Sequence, residues 1–243
     1  MDETAPALTR KSPKTKRAPV IVDRLVARYG EDPVELDHGS AFELLVATIL
    51  AAQATDAKVN EVTRSLFAKY AGPADYLAAP EEELQTDIHP TGFFRQKTRA
   101  LRGMSQALLE RYDGEVPMRM ADLVTLPGVA RKTANVVLGE WAPQLHVADR
   151  DAGIAVDTHV KRLSRRFGFT REEEPEKIER DLMRLLPRAQ WPKGSLVIIL
   201  HGRRVCDAQR PRCGSCLVED LCPSSLLAGR RDLAGQAKGL GRP

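Results

Sequence analysis

The sequence predicts an all-α fold, and three observations carry that prediction. Aromatic residues make up only 5% of the chain, and runs of Val, Ile and Thr are brief, which argues against an all-β sandwich. Apolar residues recur at helical spacing in one stretch after another. Pro- and Gly-containing breakers separate those stretches, with no strand-like alternation and no internal repeat between them. At 243 residues, 42% apolar and 29% charged, the chain has an ordinary soluble composition. It has enough material for one large domain or two intertwined lobes.

Residues 1–19 carry Arg10, Lys11, Lys14, Lys16 and Arg17 against Asp2 and Glu3. Such a stretch predicts a solvated, disordered tail, with a non-specific arm for phosphates as the second reading. Helical patterning begins near Pro19, with Val20, Ile21, Leu25 and Val26 on one face. Residues 42–52 are rich in Ala and Leu and suit a buried helix. Residues 60–70 place Val62, Leu66 and Phe67 at helical spacing. Ala71-Gly72-Pro73 breaks the pattern, 74–86 resumes it, and His89-Pro90-Thr91-Gly92 breaks it again. Residues 96–112 form a long candidate helix with Leu101, Met104, Leu108 and Leu109 inside. A short one covers 120–126, and another covers 131–141. Residues 142–154 read as a loop. Asp157 then precedes Val160, Leu163 and Phe167 as an N-cap would. Further helices are expected at 175–186 and 195–202. After Cys222 the chain turns Gly/Ala/Arg-rich, and 226–243 is expected to be a flexible tail.

No apolar run approaches the ~20 residues of a bilayer span, and the polar, basic N-terminus lacks a signal-peptide stretch. A cytoplasmic protein with no membrane partner is therefore expected. The net charge of +4, from 37 Lys+Arg against 33 Asp+Glu, permits nucleic-acid binding without demonstrating it.

Four motifs carry chemistry. The first, L-P-G-V-A-R-K-T-A-N-V-V at 126–137, is a helix–hairpin–helix pattern. A small-residue turn at Pro127-Gly128 lets backbone N–H groups approach a phosphate, and the N-terminus of the next helix adds partial positive charge. Such a turn positions DNA without reading its sequence. Taken alone, Pro-Gly fits an ordinary helix connection somewhat better. The second is Lys132, in the first turn of that helix. In a substrate pocket its neutral amine could act as a nucleophile, and the helix N-terminus and Arg131 both disfavour an ammonium ion there. The third is A-V-D-T-H at 155–159, where Asp157 can cap a helix and also favour positive charge on a sugar. His159 by itself reads as a structural or surface histidine.

The fourth is C-x6-C-x2-C-x5-C, formed by Cys206, Cys213, Cys216 and Cys222, the only cysteines in the chain. Clustered thiolates in a chain with no secretory signal read as a metal or iron–sulfur site, not as disulfides. The preferred role is a staple organising the C-terminal region, with redox chemistry as the minor alternative. Arg203, Arg204, Arg210 and Arg212 make this loop basic.

In this order the four motifs, with L-H-G-R at 200–203, resemble the endonuclease III family of base-excision DNA glycosylases, from about Pro19 to Cys222. The resemblance implies a two-lobed helix–hairpin–helix glycosylase fold. Residues 34–145 would form a six-helix barrel, and 20–33 with 146–225 an iron–sulfur lobe, with DNA in the cleft between them. It further implies a 4Fe–4S cluster on the four cysteines, Lys132 as Schiff-base lysine and Asp157 as catalytic aspartate. Gln53 matches the residue that fills the gap left by an extruded base, and Phe93 lies near the intercalating position. Asp56 and Lys97 fall near the DNA surface, as do Gly128, Ala130, Arg131 and His159. The implied partner is double-stranded DNA with a damaged base or abasic site, bound by a monomer.

The implied function is a bifunctional glycosylase/AP lyase for oxidised pyrimidines. Lys132 separates it from the adenine-mismatch relatives, which typically carry a hydroxyl residue there and a further C-terminal domain. A catalytically weak, distortion-sensing DNA-binding protein is the alternative from another class. Three departures stand out. Ala130 replaces a second hairpin glycine, and its Cβ is expected to crowd the phosphate or resist φ > 0. The loop before Asp157 is long, with 147–152 as the extra segment. Ala51 replaces a residue that is often serine.

Overall fold

A computed structural model describes residues 7–242; the acidic Asp2 and Glu3 of the expected tail lie outside the described residues. Twelve α-helices and four short 3-10 turns are present, with no strand among the described residues. The chain divides into two compact units, a central one of Val34–Ala152 and a terminal one built from the described residues on either side.

The central unit contains α2 (Ala41–Leu50), α3 (Asp56–Lys69), α4 (Pro73–Ala78), α5 (Glu81–Ile88), α6 (Phe94–Tyr112), α7 (Met120–Leu123), α8 (Arg131–Trp141) and α9 (Pro143–Ala148). Nine of the ten residues of α2 are buried, every one except Glu43, so this helix is apolar all round and lies inside the unit. Ser40 caps it by accepting from the Glu43 N–H. Helices α3, α6 and α8 pack against it, and Leu44, Leu45, Leu101, Met104, Leu108, Val137 and Leu138 join in one core. The helical stretch expected at 74–86 is two helices, because Pro80 supplies no N–H to continue the first and instead precedes α5 as its N-cap.

The terminal unit contains α1 (Lys14–Tyr29), α10 (Thr158–Arg166), α11 (Pro175–Leu185) and α12 (Trp191–Arg204). Helix α1 packs on α11 and α12, and α10 packs on the same two, around Ile21, Leu25, Leu163, Phe167, Phe169, Leu182 and Ile198. Two expectations are corrected here. Residues 14–19 are helical, not tail: Pro19 sits inside α1, and Arg17 and Ala18 are buried. The described C-terminal residues, 226–242, are tied down at Asp232 and Ala234, although most of their side chains are exposed. Asp232 is buried and accepts five hydrogen bonds, two from Arg166 and three from the N–H groups of Ala234, Gln236 and Ala237. The Lys238 N–H reaches the Gln209 carbonyl at 2.7 Å. A Gly/Ala/Arg-rich stretch has no periodicity to show this; one aspartate anchors it.

Candidate nucleic-acid interface and cysteine site

In the hairpin, α7 stops at Leu123, and the Val129 N–H closes on the Leu126 carbonyl at 3.1 Å. Gly128 sits at φ +79°, and a Cβ there would stand 2.7 Å from the Ala100 Cβ, so glycine is required on two counts. Ala130 is different. Its φ of −84° and ψ of 166° are ordinary extended backbone, so the expected φ > 0 strain does not arise. Arg131 and Lys132 are the first two residues of α8, at the positive end of its dipole. The Arg131 Nη1 donates to the Asp151 carbonyl at 2.8 Å. Lys132 is exposed, and no described residue pairs with its amine.

Of the three exposed residues of this unit with left-handed backbones that are not glycine, Asp113 (φ 52°) ends α6, and the other two are Gln53 at φ 57°, after α2, and Phe93 at φ 49°, before α6. Such conformations are uncommon and cluster at functional positions. Phe93 is 56% exposed, a large apolar side chain with no core to enter. Both turns are held by Lys97, which corrects its placement at the DNA surface. Lys97 is buried, and its Nζ donates to the Leu50 carbonyl and to the Thr91 carbonyl, each at 2.7 Å. One acceptor ends α2 just before Gln53; the other lies two residues before Phe93. Burial pushes the Lys97 amine below its ordinary range. Asp56 opens α3 behind the Thr55 N-cap and is half-buried.

The expected loop at 142–154 contains α9, with Pro143 at its start. The segment after it docks on the hairpin helices. Asp149 accepts from the Met120 N–H at 2.6 Å, and Asp151 accepts from Arg131 as above. Burial alone would raise the Asp149 carboxyl, but the N–H groups of Met120 and Asp151 hold it below the usual range.

In the terminal unit Asp157 caps α10, its Oδ1 accepting from the Val160 N–H at 2.7 Å. His159 is half-buried; its Nδ1 accepts from Arg162 at 3.1 Å, and its ring fills the space over Gly202, where a Cβ would come within 3.0 Å. That is the packing role of a structural histidine.

The four cysteines form no disulfide and line one cavity, together with Arg166, Ser224, Ser225 and Asp232. Among the described residues, no three of His, Cys, Asp and Glu are grouped to grip a single metal ion. Arg166 donates to the Cys206 Sγ at 3.3 Å, and the His201 Nε2 lies 3.4 Å from the Cys216 Sγ. Burial pushes the thiols of Cys206, Cys216 (to about 12) and Cys222 upward. Four thiols lining one space suit a cationic, thiophilic centre, which would take them as thiolates. Arg162 completes the frame, donating to the Gly202 and Cys206 carbonyls at 3.0 and 3.1 Å. Sequence reasoning missed Arg162, Arg166 and Asp232, because a buried arginine looks like any other until its partners are known.

A model of the HhH-GPD superfamily of base excision DNA repair proteins matches residues 46–188. Endonuclease III of Synechocystis sp. is 47% identical over 218 residues, covering 90% of this chain and 97% of that one. Endonuclease III of Escherichia coli (strain K12) is 40% identical over 209 residues, covering 86% and 95%. Among solved structures, a non-covalent endonuclease III–DNA complex superposes with a TM-score of 0.80 at 39% identity, covering 90% of this chain and 100% of that one. A trapped endonuclease III–DNA covalent intermediate matches equally well, at 40% identity. The chain therefore belongs to the HhH-GPD superfamily of base excision DNA repair proteins, and within it to the endonuclease III family.

Proposed function

We propose that Lys132 and Asp157 carry a DNA glycosylase/AP lyase reaction on duplexes containing oxidised pyrimidines. The observation that supports this most directly is the amine of Lys132, exposed in the first turn of α8, behind the phosphate-approaching hairpin and free of any described ion pair. A glycosidic bond inside a duplex is unreachable, so the nucleotide is first turned out, at a cost of a few kcal/mol that a poorly stacked damaged base reduces. Gln53 and Phe93 enter the gap and offset the lost stacking. The neutral Lys132 amine attacks C1′, and the C1′–N bond breaks with its electron pair leaving on the base. Loss of the amine proton and opening of the sugar give an imine. Removal of a C2′ proton then expels the 3′ phosphate by β-elimination. The Asp157 oxygen not used by the Val160 N–H favours the positive charge that develops on the sugar. Gly128 and the α8 N-terminus hold backbone phosphate, with Ala130 and Arg131 alongside.

Cys206, Cys213, Cys216 and Cys222 would hold a 4Fe–4S cluster, whose contribution is to staple the surrounding basic loop. Among the described residues no helix is long and apolar enough to cross a membrane. The reading places the protein in the cytoplasm, acting as a monomer on damaged DNA.

Borohydride present during reaction with lesion DNA should trap a covalent adduct with the wild-type chain and none with Lys132→Gln. Equal trapping by the variant overturns the assignment. A brown protein with visible absorbance identifies the cluster; a colourless zinc protein excludes it.

A further inference from the structure

We infer that a cleft in the terminal unit, with none of the four cysteines in its lining, binds a short chain of phosphates. The cleft has a volume of about 600 Å³ and is lined by Arg17, Arg165, Arg171 and Arg231, with Gly168 and Thr170. That size lies in the ordinary range for small-ligand sites, roughly 300–1,000 Å³. Its four guanidinium groups come from α1, from the end of α10 and the loop after it, and from the C-terminal segment.

Little negative charge answers them. Asp232 also lines the cleft, but both its oxygens are taken by Arg166 and by backbone N–H groups. Glu173 meets Arg165 at 2.5 Å, yet it also serves Lys161 at 2.7 Å. The Thr170 hydroxyl donates to Asp181 at 2.6 Å, which orients that carboxylate toward the threonine. Arg171 and Arg231 are exposed and have no described partner.

Arg17 is the more telling residue. It is only 4% exposed, and its Nε and Nη1 donate to the carbonyls of Ser12, Phe167 and Leu221. Those acceptors are neutral, and the acidic group that acts on this buried cation is the Cys222 thiol, with no described carboxylate against it. Such a charge is costly unless paired. Its Nη2 has no described acceptor and lies beside Gly168, where a Cβ would come within 3.6 Å of it and 3.2 Å of Pro223. Gly168, at φ +67°, thus keeps the cleft wall open in front of the unpaired guanidinium edge.

Guanidinium forks match phosphate oxygens in geometry as well as charge. No aromatic ring is among the lining residues, so the chemistry the cleft offers is chiefly that of guanidinium groups for anionic oxygens. A duplex presents its phosphates one by one along a convex edge, whereas four guanidinium groups around one concavity favour several phosphates together. The ligand chemistry is therefore a polyphosphate chain, carried by a nucleoside triphosphate or by inorganic polyphosphate.

The test is calorimetric titration of the full-length protein with sodium tripolyphosphate, ATP and adenosine. Saturable one-to-one binding of tripolyphosphate, with ATP comparable and adenosine silent, is expected. Tripolyphosphate alone would assign the inorganic source, still through this site. The double variant Arg171→Gln/Arg231→Gln should weaken binding at least tenfold with an unchanged melting curve, since both side chains are exposed. The proposal is overturned if tripolyphosphate does not saturate, if only ATP binds, or if the double variant titrates like wild type. It is also overturned if the double variant loses lesion-duplex affinity by the same factor, which would make these arginines part of the DNA face.

Discussion

Lys97 shows how much one side chain can decide. A lysine in the first turn after a breaker ordinarily points at solvent, which is why its sequence position suggests a DNA contact. The fold buries it and gives its amine two backbone carbonyls, one of them 47 residues earlier in the chain. We predict that Lys97→Met costs about 1–3 kcal/mol through the unsatisfied carbonyls. It should also slow excision from duplex DNA by about tenfold to hundredfold, because Gln53 and Phe93 lose a shared anchor. Strand cleavage at an abasic site in single-stranded DNA, which needs no gap filled, should be unchanged. Equal losses on both substrates would reduce Lys97 to a general stabiliser. The place of Lys132 at the start of α8 and the grouping of the four cysteines around one cavity were legible from residue type and spacing. The brace was not, since its acceptors are backbone atoms that no side-chain pattern records.

At the scale of elements, the hairpin makes a paired prediction. Gly128→Ala forces a side chain into left-handed backbone against Ala100 and should cost about 1–3 kcal/mol from backbone strain alone. Ala130→Gly, at an ordinary extended position, should cost only about 0.4–1 kcal/mol through the looser unfolded chain. Thermal melts of the two variants check the contrast. Helix α9 and the segment after it add a pH test. The folded state holds the Asp149 carboxyl below its unfolded value, so its contribution is complete above the ordinary aspartate range near pH 4. It is lost as pH falls through the lowered folded value. Asp149→Asn should therefore reduce stability at neutral pH and flatten the acid limb of the stability profile. An unchanged acid limb would show that the Met120 and Asp151 N–H groups do not depend on the charge. This helix escaped sequence reasoning because six residues are too few for periodicity to register.

Across the whole molecule, the terminal unit depends on residues far apart in the chain. Arg17 donates to carbonyls of Phe167 and Leu221, and Arg166 holds Asp232 in a buried, two-point ion pair. Removing one partner of such a pair leaves an uncompensated charge and typically costs about 3–5 kcal/mol. We predict that Asp232→Asn lowers the melting temperature of the terminal unit and, because Arg166 also donates to Cys206, hastens loss of the visible absorbance that the proposed cluster would give. Melting followed at the absorbance band and by circular dichroism would show both changes together. A variant that melts like wild type would return the C-terminal segment to the status of a loose tail.

Local patterning by itself determined the helical class, most helix positions, the hairpin with Lys132 behind it, and the thiol set. Each depends on residue spacing along a few turns of chain, which short-range sterics and burial translate directly. Tertiary structure alone decided that the basic N-terminal stretch is helical from Lys14, that the C-terminal stretch is anchored by Asp232, and that Lys97 braces two turns. Those outcomes depend on polar groups meeting across long sequence separations, where desolvation makes each hydrogen bond obligatory but leaves no periodic trace in the sequence.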